Sequence, residues 1–284
     1  MLIGSTDERE VKRIFESLKE EFELTSLGEV RHFLGIEVQR EGGVYSIRLQ
    51  KYIEKLIENF GMEQAKMAKS PMDPGFLKLV ESGEALEDAT KYRSLVGGLL
   101  YLAVNARPDI AASTAILGPK FSAPGEADWT AAKRILRYLK ATSEYSLRLG
   151  GEPNQALTGY SDSDWAGDVG SRKSTSGAVF LFGGGVISWA SRRQASVTLS
   201  SMEAEYVALS EACQEVVWLR QLLRDFGEEQ KIPTVLHEDN QGCLAFVKTE
   251  RSVDAQNIST RGRILLRICA RSRRSSWSIV RQIG

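Results

Sequence analysis

The chain has 284 residues, enough for one large or two modest domains, and its 42% apolar content is that of an ordinary globular protein. With 37 Lys+Arg against 37 Asp+Glu, overall charge favours no polyanionic partner, although the last stretch is strongly basic. Three scattered cysteines (Cys213, Cys243, Cys269) with no C-x-x-C pair, and only His32 and His237, argue against cysteine- or histidine-ligated zinc and against a His-based triad, and point to a reducing compartment.

Met1-Leu2-Ile3 is strand-like and is followed by turn residues. Ser5 or Thr6 is expected to cap a helix with apolar positions Val11, Ile14, Phe15, Leu18 and Phe22. Two strands follow, over 33–38 and 44–49, joined by Arg40-Glu41-Gly42-Gly43 as a hairpin. Residues 50–60 read as an amphipathic helix (Tyr52, Ile53, Leu56, Ile57, Phe60) that stops at Gly61. The acidic stretch 71–87 is a candidate linker. An apolar helix over 92–102, a second opened by Pro108, and a third over 129–139 complete the first half. The third carries Lys133, Arg134, Arg137 and Lys140. Such a basic face is either merely solvated or touches the phosphate backbone of a duplex.

After Gly150-Gly151 the pattern changes. Strands are expected over 157–165, 176–182 and 186–190. Ser200-Ser201-Met202-Glu203 is an S-x-x-E capping box that opens a long helix ending at Gly227. A strand over 234–239 and a helix over 243–248 follow, giving the order β-β-β-α-β-α. Within the first of these strands, Asp162 and Asp164 fall on one face, two residues apart. Like charges that close are explained by a bound divalent cation or by a solvated acidic turn. Asp162 on the first strand, Glu205 in the first turns of the long helix beside the small Ala204 and Ala208, and Asp239 at the end of the fourth strand are the carboxylates that such a layered fold brings to one edge. Three carboxylates suffice for two Mg²⁺ ions, and hard oxygen ligands suit Mg²⁺ or Mn²⁺. Glu203 is the nearest rival to Glu205, but it already has a capping role. Asp164 and Asp168 either support the cluster from behind or are simply exposed.

Several stretches carry a family resemblance. "MLIGST", "LGEVRHFLGIEVQR" and "LQKYIEKLIENFGME" resemble the reverse transcriptase of copia-type LTR retrotransposons, and "YRSLVGGLLYLAVNARPDI" and "AAKRILRYLKAT" resemble that family's connection region. "TGYSDSDWAGD", "RKSTSGAVFLFGGGVISWASRRQ", "SSMEAEYVALSEACQEVVWLRQLL" and "EDNQGCLA" resemble the ribonuclease H domain of the same Pol polyproteins. The resemblance implies a palm end, primer-gripping hairpin and thumb start over 1–75, a helical thumb- or connection-like region over 76–150, and an α/β ribonuclease H-like domain with a mixed sheet over 151–250. It implies that the polymerase aspartates lie before Met1, that Asp162, Glu205 and Asp239 are the catalytic metal ligands, and that the partner is an RNA–DNA hybrid read by its shape and 2′-OH.

The family's text breaks off near residue 251. Where it continues with Lys-His-Ile-Asp, supplying a fourth carboxylate and then a last strand and helix, this chain has an Arg-rich stretch, 251–284, with no acid beyond Asp254. Either the reading frame shifts near Ser252 or this is a genuine basic tail that binds nucleic acid. In both cases the fourth ligand and the last strand and helix are expected to be missing. Two functions follow: an active ribonuclease H, or a catalytically inactive retroelement remnant that at most binds nucleic acid. A generic α/β binding module is disfavoured by the spread of the motifs. With no membrane-length apolar run and no signal peptide, an intracellular place, cytoplasm or nucleus, is expected.

Overall fold

The computed structural model describes residues 1–5, 7–76, 83–151, 156–249, 266–271 and 277–283. Helix α1 (Glu8–Lys19) is capped by Asp7, whose carboxylate accepts from the Arg9 amide at 2.9 Å. The expected cap was one or two residues earlier. Ser5 instead accepts from the Asp7 amide and donates to Glu10, so it braces the cap from outside, and Thr6 lies outside the described residues. The apolar stripe of α1 is only half-covered, and no residue of the helix is buried.

Strands β1 (His32–Phe33), β2 (Ile36–Glu41) and β3 (Val44–Arg48) form an antiparallel meander. The β2–β3 hairpin turns on Gly42 and Gly43, both at positive φ (55° and 84°), the left-handed pair that a two-residue turn requires. The fourth strand of this sheet comes from far along the chain: β4 (Leu147–Leu149) pairs antiparallel with β3.

Between β3 and β4 lie helices α2 (Gln50–Asn59), α3 (Thr90–Asn105), α4 (Ala111–Leu117) and α5 (Glu126–Ala141), with 3-10 turns at Pro108–Ile110 and Gly118–Ser122. Their apolar positions share one core across the expected boundary at 75/76: Ile53 and Leu56 of α2 pack with Leu95, Leu99 and Leu102 of α3 and with Ile135, Leu136 and Leu139 of α5. Tyr92 is fully buried, and its hydroxyl donates to the Leu117 carbonyl at 2.8 Å, so this buried polar atom is satisfied. Arg107, 2% exposed, forks onto Asp109 at 2.7 and 2.9 Å and onto Thr142, which joins the end of α3 to the end of α5.

The second body is a six-stranded mixed sheet with helices α6 (Ser201–Asp225) and α7 (Gln241–Thr249). Strands β5 (Thr158–Asp164), β6 (Thr175–Phe182) and β7 (Gly185–Arg193) are antiparallel, β8 (Thr234–Glu238) runs parallel to β5, and the order is β8-β5-β6-β7 with two more strands beyond β8. The core joins Leu157, Phe180 and Leu236 of the sheet to Leu209, Val216 and Leu219 of α6 and Leu244 of α7. The first six elements follow the expected order. The expectation that the last strand is missing is corrected: β9 (Leu266–Arg271) lies parallel to β8, and β10 (Trp277–Ile283) pairs antiparallel with it at the sheet edge. Leu266, Ile268 and Ala270 alternate with Arg267, Cys269 and Arg271, a period of two that suits a strand and that the abundance of Arg obscured. Among the described residues no helix follows α7. The frame shift proposed near Ser252 lies outside the described residues. The two bodies meet where the Trp189 indole of β7 donates to the Ala103 carbonyl of α3 at 2.8 Å.

Candidate functional site

Three elements bring one carboxylate each to the same edge. Asp162 sits on β5 opposite Gly177 of β6, where the partner strand offers no side chain to crowd it. Asp239 follows directly on the last residue of β8. Glu205 lies in the second turn of α6, flanked on its helix face by the buried Ala204 and Ala208, which let the helix come close to the sheet. One oxygen from each of the three lies within 4.8 Å of the others. Asp162 and Asp239 are exposed, while Glu205 is 6% exposed, so the cluster has a solvent mouth and a buried floor.

The electrostatics are those of an uncompensated cluster. Burial, then the charges of Glu238 and Asp162, pushes Glu205 up to about 8. Burial and the neighbouring Asp239 raise Asp162 as well. Buried Glu205 Oε2 and Ser163 Oγ each lack a well-aligned hydrogen bond, although the Ser163 hydroxyl is close enough to offset part of the rise at Glu205. An all-oxygen set of three carboxylates, one with an orphaned buried oxygen, fits a small hard divalent cation such as Mg²⁺ or Mn²⁺.

The rival acids have other work. Glu203 accepts from the Leu199 amide at 2.7 Å, while Ser200 Oγ accepts from the Glu203 amide at 3.2 Å, a reciprocal cap at the start of α6. Asp168 accepts from the amides of Gly170 and Ser171 and pairs with Arg193 at 2.9 Å, which holds it below the usual carboxylate range. It organises the β5–β6 loop. Asp164 folds over the same loop: a Cβ added to Gly167 would come within 1.9 Å of its Oδ2.

The basic face of α5 is largely occupied from within. Lys140 donates to the carbonyls of Glu63 and Ala65, Arg137 to that of Lys66, and Arg134 to Ser70 Oγ at 3.0 Å, with Asp73 at 3.5 Å. Lys133 lies over the Trp129 ring, 5.2 Å from its centroid. Three of these four cations thus clamp the irregular segment after α2 from within the molecule.

One residue of the site escaped the sequence reading. Glu238, 1% exposed, accepts from Ser161 Oγ at 3.0 Å and from the Asn240 amide at 3.0 Å, and burial pushes it up to about 7. The signal was parity: in a strand, Glu238 shares a face with Leu236 and Thr234, so an acid stands at a core-facing position.

The family model described as reverse transcriptase (RNA-dependent DNA polymerase) matches residues 1–74. The retrovirus-related Pol polyprotein from transposon TNT 1-94 of Nicotiana tabacum is 37% identical over 87% of this chain and 19% of its own length. That from transposon RE1 of Arabidopsis thaliana is 36% identical over 86% of this chain and 16% of its own. The chain thus spans less than a fifth of the length of these Pol polyproteins. An uncharacterized mitochondrial protein of Arabidopsis thaliana is 34% identical and is covered over 90% of its length. Among solved structures, LC11-RNase H1 from compost aligns over 37% of this chain and 71% of its own at 15% identity with a TM-score of 0.27, too slight a likeness to bear on the fold. With identities of 34–37% to these relatives over most of its length, the chain belongs to the retrovirus-related Pol polyproteins of copia-type retrotransposons.

Proposed function

We propose that the second body is a ribonuclease H-like domain that hydrolyses the RNA strand of an RNA–DNA hybrid, using Mg²⁺ or Mn²⁺ held by Asp162, Glu205 and Asp239. The observation that carries this reading is the convergence of three carboxylate oxygens from β5, α6 and the end of β8 within 4.8 Å, over a buried Glu205 oxygen with no well-aligned hydrogen bond. A pair of divalent ions, when bound, supplies an activated water and a stabilised leaving oxygen. The protein's part is positional. Glu205 is fixed by a long, well-packed helix, and Asp162 by pairing of β5 with β6 on either side of it. The exposed Asp162 and Asp239 leave the mouth open to a phosphodiester arriving from solvent. Membership in a Pol family, and a first body matched by a reverse-transcriptase model, support a nucleic-acid partner. Among the described residues the first body gathers no comparable carboxylate group, which supports placing any hydrolysis in the second.

The test is cleavage of a labelled RNA–DNA hybrid with Mg²⁺ by the full chain beside its Asp162→Asn variant. Cleavage by the wild type that is lost in the variant is the expected result. The absence of any acid beyond Asp254 favours a second reading, an inactive remnant that at most binds nucleic acid. Hybrid binding without cleavage by either protein would establish it.

A further inference from the structure

The backbone pairing of β5 with β8 runs through Thr158↔Val235, Gly159↔Leu236 and Tyr160↔His237, and stops there. Asp162 and Asp239 both lie just past this last pair. Asp162 is still held from its other side, because β5 continues to pair with β6 as far as Asp164↔Thr175. On its far side β8 pairs with β9 only as far as Glu238↔Ala270, one residue short of Asp239. Its distance from Asp162 is set by whatever ties the two chains together after the ladder ends.

That tie is Glu238. One carboxylate oxygen accepts from Ser161 Oγ, the residue before Asp162, at 3.0 Å. The other accepts from the amide of Asn240, the residue after Asp239, at 3.0 Å. Asn240 Oδ1 in turn accepts from the Cys243 amide at 2.9 Å, which anchors the bend to the start of α7. Glu238 is 1% exposed and Ser161 8%, so the bridge is shielded from competing water. It spans the gap between the two strands and fixes the turn that aims Asp239 toward Asp162.

We infer that Glu238 is a positioning residue for the carboxylate cluster, holding Asp239 at ligand distance from Asp162 through Ser161 and the Asn240 amide. The inference rests on the metal-site reading above and extends it to a residue that lies outside the set of three ligands. Partners that orient metal ligands typically matter about 10- to 100-fold in metal affinity.

The experiment uses the full chain and Mn²⁺ alone, with free ion read from its electron paramagnetic resonance signal, so that no catalysis is needed. Wild type is compared with Asp162→Asn, Glu238→Ala, Ser161→Ala and Leu223→Ala. The last is a core control about 27 Å along α6 from Glu205, at 1.5 Å per residue. Glu238→Ala and Ser161→Ala are expected to bind Mn²⁺ about 10- to 100-fold more weakly, whereas Leu223→Ala, though less stable, binds like wild type. If Glu238→Ala does not fold, Ser161→Ala carries the test, because it removes only a hydroxyl. Wild-type Mn²⁺ affinity in Ser161→Ala overturns the inference and leaves the metal site standing. A wild-type chain that binds no better than Asp162→Asn overturns the metal site and the inference with it.

Discussion

Glu203 and Glu205 stand two residues apart on α6 and do opposite things. Glu203 spends its carboxylate on the Leu199 amide at the helix start, and Glu205 points into the cluster with an oxygen unpaired. Replacing Glu203 with alanine removes a cap. It should lower stability by about 0.5–1 kcal/mol, as caps usually do, while leaving Mn²⁺ affinity unchanged. Thermal unfolding and a metal titration on the same variant check both halves. This division was half legible in the sequence. The S-x-x-E pattern identified Glu203 as a cap because the spacing is local. Nothing local distinguishes a ligand from an exposed acid at Glu205, which only the fold brings to Asp162 and Asp239. Glu238 was legible in principle, as an acid in a core-facing register, but its partner Ser161 lies 77 residues away and leaves no trace in spacing.

At the scale of elements, the basic face of α5 is engaged within the molecule. Four cations on one helix suggest a polyanion, yet three of them bind the segment between α2 and α3. An irregular segment has no periodicity, so its appetite for donors cannot be read from its letters. Arg137→Ala should free the Lys66 carbonyl and loosen this segment. The expected cost is about 1 kcal/mol, below the usual range for a bond to a charged donor because the site is partly exposed. Faster limited proteolysis within 63–73 checks this, and the salt dependence of hybrid binding should stay as in wild type. The strands and helices themselves were more legible, because apolar period and turn chemistry agree in the hairpin at Gly42-Gly43 and in the β-β-β-α-β-α order. The start of α1 was placed too early because Ser, Thr and Asp compete for the cap, and the carboxylate of Asp7 wins. Strand β9 was missed because Arg at every other polar position looked like a tail.

For the whole molecule the cluster predicts a pH response. A carboxyl whose folded pKa is raised keeps its proton in the folded state after the unfolded chain has released its own, so stability falls as pH rises between the two values. For Glu205 that window runs from its ordinary value of 4.5 to about 8, and for Glu238 from 4.5 to about 7. His237, lowered by burial, works the other way at and below its ordinary value of 6.5. Across the interval from pH 7 to 8 Glu205 contributes the larger share of this fall, while Glu238 completes its own release. The metal-free protein should lose thermal stability across it, and Mg²⁺ should restore the loss, since an ion that binds only the folded state stabilises it. Glu205→Gln should reduce the slope and abolish the response to Mg²⁺. Differential scanning calorimetry with and without chelator measures all of this, and a flat profile for the wild type would contradict the assignment.

The seat that β4 takes beside β3 also sets a timetable. From Arg48 at the end of β3 to Leu147 at the start of β4 the chain must grow by 99 residues. At about 5–20 residues per second, that is roughly 5–20 s of synthesis. Throughout it the outer edge of β3 is an open template on a nascent chain, available to any other strand that meets it. The helices made in the meantime pack against Ile36 and Ile47, which lie on the face of the sheet and not on its edge. A cell translating this chain thus holds it, for those seconds, in its most adhesive form.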